Sequence, residues 1–134
     1  MCLQNKKRCL NGRRFLLNNN QQASTTFIHL TYMLLYNITV SIDNAVAEEW
    51  LTWMKETHIP EVMATTYFIR YQIAKMLTEE ADTGGTTYAV QYFCRNMADF
   101  EEFQEDFAPA LVEKHAKRYL NQFVTFESLL EIVD

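Results

Sequence analysis

The chain has few of the residues from which well-known catalytic and binding motifs are built. It contains 3 glycines, 2 prolines and 3 cysteines, and no glycine-rich phosphate loop, Cys-x-x-Cys pair or nucleophile motif occurs in it. Cys2, Cys9 and Cys94 are too few and too scattered for a disulfide framework, which indicates thiols in a reducing compartment. Cys94 is expected to be a small buried hydrophobic residue rather than a nucleophile, because no neighbouring motif would lower its pKa.

Long hydrophobic runs are also missing. No stretch of some eighteen apolar residues occurs, which excludes an ordinary transmembrane helix. The basic N-terminus lacks the continuous apolar segment of a secretory signal. A cytoplasmic location is therefore predicted. The three histidines, His29, His58 and His115, form no recognised ligand pattern, so neither a metal site nor a cofactor is expected.

Charge divides the chain into two parts. Residues 1–32 contain five basic residues and no acid, whereas the remaining residues have 7 basic side chains against all 17 acids. The globular part is therefore acidic and is not expected to bind nucleic acid. Residues 1–32 also lack an amphipathic period, so they are predicted to be a disordered basic segment. Our hypothesis is that they lie upstream of a true start at Met33; the alternatives are a basic nucleic-acid arm and a targeting peptide.

Residues 33–134 show the element order strand, helix, strand, strand, helix, strand. Alternating apolar residues predict strands over 34–42, 68–77, 88–94 and 123–133. A first helix is expected to start at a cap on Asp43 and to stop at Pro60, where a further short turn over Glu61 to Ala64 can begin. A second helix is expected to start at a cap on Asn96 and to be kinked or split at Pro109. A Gly-Gly turn between strands two and three predicts a hairpin.

This order is typical of an α+β, ferredoxin-like βαββαβ fold, with two helices on one face of a four-stranded antiparallel sheet. The usual strand order, four-one-three-two, places strands one and three in the centre. The opposite face is predicted to be polar in its centre but partly apolar, which favours a partner covering it. A homodimer with two such sheets packed face to face, a dimeric α/β barrel, is the hypothesis. Residues expected on this face include Asn37, Gln91, Thr125, Glu127 and Leu129.

Several segments of the chain resemble the small bacterial proteins grouped as domain-of-unknown-function family 4286. The matching runs are YNITV at 36–40, EWLTWM at 49–54, HIPEVM at 58–63 and YAVQY at 88–92. The resemblance covers residues 33–134 and implies the dimeric, barrel-like fold, but the family has no assigned activity. Where its pattern tends to have glycine, this chain has Thr66, which puts a tight turn there in doubt.

Six residues are candidates for ligand binding, each with a structural alternative. Trp50 and Trp53 share a helix face, where core packing is the favoured interpretation and ligand stacking the alternative. His58 is expected to cap a helix C-terminus, and His115 to lie either in the core or facing a pocket. The remaining two, Asn37 and Gln91, are the central polar residues of the open sheet face.

Two functions remain open from the sequence. The first is a non-catalytic, cytoplasmic homodimer that binds a small molecule or a protein partner. The alternative is an enzyme resembling the cofactor-independent or haem-degrading monooxygenases of the dimeric α/β barrel type. Such proteins use asparagine, tryptophan and histidine around a pocket, and Asn37, Trp50 or Trp53, and His115 supply those residue types here. This analogy rests on the fold alone, and it does not decide whether the chain is an enzyme.

Overall fold

The structure, a computed structural model, describes residues 33–78 and 84–134. The elements are β1 (Met33–Asp43), a 3₁₀ turn (Asn44–Val46), α1 (Ala47–Trp53), a π-helical turn (Met54–His58), α2 (Ile59–Ala64), β2 (Phe68–Lys75), β3 (Gly85–Cys94), α3 (Met97–Asp106), α4 (Ala108–Arg118) and β4 (Phe123–Ile132). The predictions for the basic segment at 1–32, including Cys2, Cys9 and His29, lie outside the described residues.

The four strands form one antiparallel sheet in the order β2-β3-β1-β4. This confirms the predicted ferredoxin-like arrangement, with β1 and β3 in the centre. The helices cover one face, because the apolar side chains of the two central strands alternate towards that side. The core between helices and sheet is built around the fully buried residues Leu34, Ile42, Trp50, Ile59, Val90, Tyr92, Cys94 and Tyr119. Core use of Trp50 and burial of Cys94 are thereby confirmed.

Pro60 does not stop the first helix. The chain stays helical from Ala47 to Ala64, and the π-helical turn of Met54–His58 lies immediately before the segment that contains Pro60. A proline inside an α-helix removes one hydrogen bond and crowds the carbonyl four residues earlier, and the wider π turn gives that carbonyl room. The prediction of a helix end at Pro60 was therefore wrong, and so was the Asp43 cap, since that side chain makes no capping hydrogen bond.

The second helix behaves as its sequence predicts. The side chain of Asn96 accepts a hydrogen bond from the backbone N–H of Asp99 at 2.8 Å, which is an ordinary N-cap. The helix then divides at Phe107, two residues before Pro109, into α3 and α4. The break lets α4 take its own direction over the sheet, with His115 on its buried side.

The face assignment of β4 differs from the prediction. Thr125, Glu127 and Leu129 pair with Val40, Ile38 and Tyr36, so they share the helix-covered face. The open face instead carries the β4 residues that alternate with Thr125, Glu127 and Leu129. These residues are Val124, Phe126, Ser128 and Leu130.

Because side chains alternate along a strand, an error of one residue exchanges the two faces. The contact that fixes the true assignment is tertiary. Phe123 packs edge-on against His115 of α4, with ring centroids 4.4 Å apart.

The turn after α2 is made without glycine. Thr66 has φ of +70°, in the left-handed region, and its N–H donates to the carbonyl of Met63 at 3.1 Å. Arg95 also donates a hydrogen bond to the Thr66 carbonyl at 3.2 Å. The tight turn therefore forms, although a β-branched residue is poorly suited to this conformation.

Candidate functional site

A cavity of about 80 Å³ lies between the helices and the sheet. Its floor comes from the central strands and from β4, and its roof from the π turn and α4. The side chains that line it are Ile38, Val40, Met54, His58, Val90, Tyr92, Val112, His115, Phe123, Thr125 and Glu127. Val112, Thr125 and Glu127 are exposed, so the cavity opens between the edge strand β4 and helix α4.

His58 enters the cavity from the π-helical turn. Turns of this kind insert an extra residue into a helix and are found frequently at functional sites. The Nδ1 atom of His58 is buried and has no hydrogen-bond partner among the described residues. Burial lowers the pKa of His58 to about 4, against an opposing effect of the Glu61 charge and with a smaller lowering effect of the Lys114 charge. The imidazole is therefore neutral at physiological pH.

The predicted role of His58 as a C-terminal helix cap is wrong. The residue lies within a continuous helix that runs on to Ala64, not at its end. A cap would also hold the imidazole as a cation beside free carbonyls, which raises the pKa, whereas here the pKa is lowered. His58 is thus a polar group of the cavity wall.

His115 approaches the same cavity from α4. It is 8% exposed, and its Nε2 accepts a hydrogen bond from the indole Nε1–H of Trp50 at 2.8 Å. Because a neutral imidazole carries one proton, this bond assigns the proton to Nδ1. Burial, with a smaller contribution from the nearby His58, lowers the pKa of His115 to about 4. His115 is thus both a core residue and a pocket residue, the two roles that the sequence left open.

Aromatic rings enclose the two imidazoles. The ring centroids of His58 and His115 are 5.9 Å apart, and Trp53 stands 5.1 Å from His58 and 5.9 Å from His115. Behind Trp53, Tyr119 donates a hydrogen bond to Glu49 at 2.8 Å and joins α1 to the end of α4. This packing fixes the orientation of both imidazoles.

The remaining candidates, Asn37 and Gln91, lie on the open face of the sheet. They belong to a chain of side-chain hydrogen bonds in which Gln72 donates to Gln91 at 2.6 Å, Gln91 to Asn37 at 3.1 Å, and Asn37 to Thr39 at 3.1 Å. The sheet separates them from the histidine cavity. The structure therefore brings together His58, His115 and the two tryptophans, but it does not place Asn37 with them.

Glu127 is a site residue that sequence reasoning assigned to the wrong face. It lines the cavity mouth, and its Oε1 accepts a hydrogen bond from the Tyr36 hydroxyl at 2.9 Å. Burial and the Glu127 charge raise the pKa of Tyr36, so the hydroxyl stays protonated as the donor. The signal that could have found Glu127 was the alternation of β4 counted from Phe123.

The chemistry available in the cavity is that of neutral hydrogen-bonding groups in an apolar wall. His58 has one donor and one acceptor nitrogen, His115 has only its Nδ1–H left because Nε2 accepts from Trp50, and the Glu127 carboxylate offers an acceptor at the mouth. Among residues 33–78 and 84–134, no group of three or more potential ligand side chains could hold a metal ion. The Cys94 thiol is buried, and burial raises its pKa.

Within residues 33–78 and 84–134, no helix is long and apolar enough to cross a membrane.

Solved structures of several other proteins share this fold. One is a dimeric ferredoxin-like protein from an uncultured marine organism, 11% identical, with a TM-score of 0.56 over 77% of this chain and 97% of that one. Another is SnoaB, a cofactor-independent oxygenase from Streptomyces nogalater, 13% identical, with a TM-score of 0.54 over 76% and 94%. A third is an EthD-like protein from Ralstonia eutropha, 12% identical, with a TM-score of 0.57 over 76% and 93%. At these identities the likeness shows the fold alone.

A comparison with curated proteins gives no match. The model of a protein family, in contrast, matches residues 33–133, which include every strand and helix of the described fold. The resemblance seen in the sequence runs is thereby confirmed, and the chain belongs to the family described as domain of unknown function DUF4286.

Proposed function

We propose that this protein is a homodimer that binds a small, neutral, largely apolar molecule in the cavity between helices and sheet. The observation that supports this most is that two neutral imidazoles, those of His58 and His115, line a cavity whose walls are otherwise mainly aliphatic and aromatic. Ligand sites are typically apolar concavities with a few polar groups that fix orientation. Neutral imidazoles suit a neutral ligand with one hydrogen-bonding group.

Phenol and toluene test this proposal because they differ only in such a group. In the wild-type protein, phenol is expected to bind more tightly than toluene, by about five- to tenfold for one hydrogen bond. Trp53 stands beside both imidazoles, so tryptophan fluorescence reports occupancy. The matched variant His58→Leu keeps an apolar side chain of similar size and should bind phenol and toluene equally.

Imidazole NMR provides a second measurement. Phenol binding should shift the ring resonances of His58 and His115. If neither phenol nor toluene changes the fluorescence or the imidazole spectra at millimolar concentration, the cavity is not a ligand site and the proposal is rejected.

The dimer half of the proposal rests on the open face of the sheet. Val124 and Phe126 of β4 are 72% and 69% exposed there, beside the polar chain that contains Asn37 and Gln91. Large exposed apolar side chains in a row mark interaction surfaces, and a two-fold axis would pair this face with itself. The structural relative from a marine organism is described as dimeric.

Light scattering of the wild-type protein tests the dimer directly. Phe126→Asp should give monomers, because a charge would enter the apolar strip. Leu120→Asp is the matched control, since Leu120 is 68% exposed but lies in the turn after α4, outside the sheet. A monomeric wild-type protein at micromolar concentration would remove this half of the proposal.

Oxygenase chemistry is the second candidate. It is supported by the tryptophan and histidine pair of Trp50 and His115, in a fold shared with a protein described as a cofactor-independent oxygenase. Two observations weigh against it. Asn37 lies on the other face of the sheet, and a lowered pKa makes His115 a weak base. Oxygen uptake with a quinol substrate would support the enzyme, and its absence would favour the binding protein.

A cytoplasmic location, inferred from the scarce and scattered cysteines, belongs to the same proposal. Fractionation of the source cells tests it.

A further inference from the structure

The two imidazoles of the cavity differ in what they can offer a ligand. Nε2 of His115 already accepts the indole N–H of Trp50 at 2.8 Å, so His115 has no acceptor left for a ligand. A neutral His58 carries its proton on either Nδ1 or Nε2. The position of that proton therefore decides whether the imidazole pair can accept a hydrogen bond from a ligand.

The two nitrogens of His58 lie in different surroundings. Nδ1 is closed off from solvent and cavity alike, and it makes no hydrogen bond to any described residue. Nε2, at the far end of the ring, is also without a hydrogen bond to the described residues but is not closed off in this way. Because the His58 ring lines the cavity, Nε2 is the nitrogen that a ligand can reach.

Glu61 supplies a negative charge near the ring. It follows His58 by three positions in a continuous helix, so the two side chains share a helix face. Its Oε2 accepts a hydrogen bond from Lys114 Nζ at 2.6 Å, whereas its Oε1 is buried and has no partner among the described residues. The Glu61 charge also acts on His58 in the direction that favours a proton on the ring. One helix face thus buries both an unpaired carboxylate oxygen and an unpaired imidazole nitrogen.

This charge distinguishes the two tautomers of His58. With the proton on Nδ1, the buried N–H dipole has a negative carboxylate nearby. With the proton on Nε2, a buried lone pair has the same negative charge nearby and no donor. The first arrangement has the lower electrostatic energy, and low-dielectric surroundings enlarge the difference. Nε2 then presents its lone pair to the cavity.

We infer that the ligand of this cavity is a neutral hydrogen-bond donor, an alcohol or a phenol whose hydroxyl group donates to Nε2 of His58, and that Glu61 selects it by keeping the His58 proton on Nδ1. Glu61 is a positioning residue, because it acts through His58 and lines a separate open cleft beside α4. A ketone or an ether of similar shape has no proton to donate and would leave Nε2 without a partner. The inference rests on the proposed function, since it requires that the histidine cavity bind ligands.

Cyclohexanol and cyclohexanone test the inference because they are similar in shape and differ in the donor. By calorimetry, the wild-type protein is expected to bind the alcohol about five- to tenfold more tightly than the ketone. Glu61→Gln should reduce this preference to less than about twofold, since a neutral amide can face either tautomer of His58. Lys114→Met is the matched control. It removes the same ion pair but keeps the carboxylate, so the preference should remain.

The tautomer can be measured without a ligand. ¹⁵N NMR distinguishes protonated from unprotonated imidazole nitrogens, and the wild-type protein is expected to show a proton on Nδ1 of His58 and none on Nε2. Glu61→Gln should give a mixture of the two tautomers, whereas Lys114→Met should keep the wild-type spectrum. A merely structural role of Glu61 would not change the tautomer.

The results separate this inference from the proposed function. If Nε2 of His58 carries the proton, or if the wild-type protein binds cyclohexanone as tightly as cyclohexanol, the donor assignment is overturned and the proposed function stands. A full preference for the alcohol in Glu61→Gln would overturn the role of Glu61. If cyclohexanol, cyclohexanone and phenol all fail to bind, the proposed function fails and this inference fails with it.

Discussion

Acid should unfold this protein through its two cavity histidines. Burial lowers the pKa values of His58 and His115 to about 4, from about 6.5 for an exposed imidazole. The folded protein therefore keeps both rings neutral between pH 6.5 and pH 4, whereas the unfolded chain binds a proton at each. Stability from this source is complete above pH 6.5 and is lost as the pH falls towards 4.

The size of the effect follows from those pKa values. Between pH 7.5 and pH 5, each histidine should reduce the free energy of unfolding by about 2 kcal/mol, and the pair by about 4 kcal/mol. That is a large part of the roughly 5–15 kcal/mol available to a small domain. Glu61 and Lys114 also face His58, with opposite effects on its pKa.

Urea denaturation at half-unit steps of pH measures this dependence. His58→Gln and His115→Gln should each remove about half of the slope, and the double variant should be nearly insensitive to pH between 5 and 7.5. Two results would refute the reasoning: a wild-type stability that is flat over this range, or a double variant that keeps the full slope. Either would mean that the imidazoles are hydrated or protonated in the folded protein.

Three further predictions concern single substitutions. Thr66→Gly should raise the free energy of unfolding by about 1 kcal/mol, since it removes a β-branched side chain from positive φ. Asn121→Gly, at φ of +62° where asparagine is tolerated, is the control and should change the free energy of unfolding little. Equal shifts in melting temperature for the two variants would contradict the strain argument. Trp50→Phe deletes the donor to His115, so NMR titration should show the pKa of His115 rising towards its usual value. An unchanged pKa of His115 would mean that this hydrogen bond has no influence on that pKa. Phe100→Ala should cost about 3–5 kcal/mol by chemical denaturation, because Phe100 lies in the core against Tyr36, and a cost below about 1 kcal/mol would show that the packing there is loose.

The order of the elements could be predicted because each strand and helix has its own periodicity. β1 and β3 bury every second residue, and the helices bury residues at steps of three and four. Asn96 and Pro109 act on their own neighbours, so the cap and the helix break near them were predictable. The effect of Pro60 was mispredicted because the prediction considered only its immediate neighbours. Its local preference is to end a helix, but packing of residues on both sides of it kept the helix continuous through a π turn.

The candidate site depended far more on contacts between distant residues. The sequence by itself determined that Trp50, Trp53, His58 and His115 belong to helices with one apolar face. Tertiary structure alone decided that the two imidazoles meet, although they are 57 positions apart in the chain, and that Trp50 donates to one of them. It also decided the face of Glu127, since a strand pattern does not say which side meets the helices until a residue such as Phe123 is packed. Local propensities act within a few residues, whereas burial, and with it the lowered pKa values of the histidines, arises only when separate elements exclude water together.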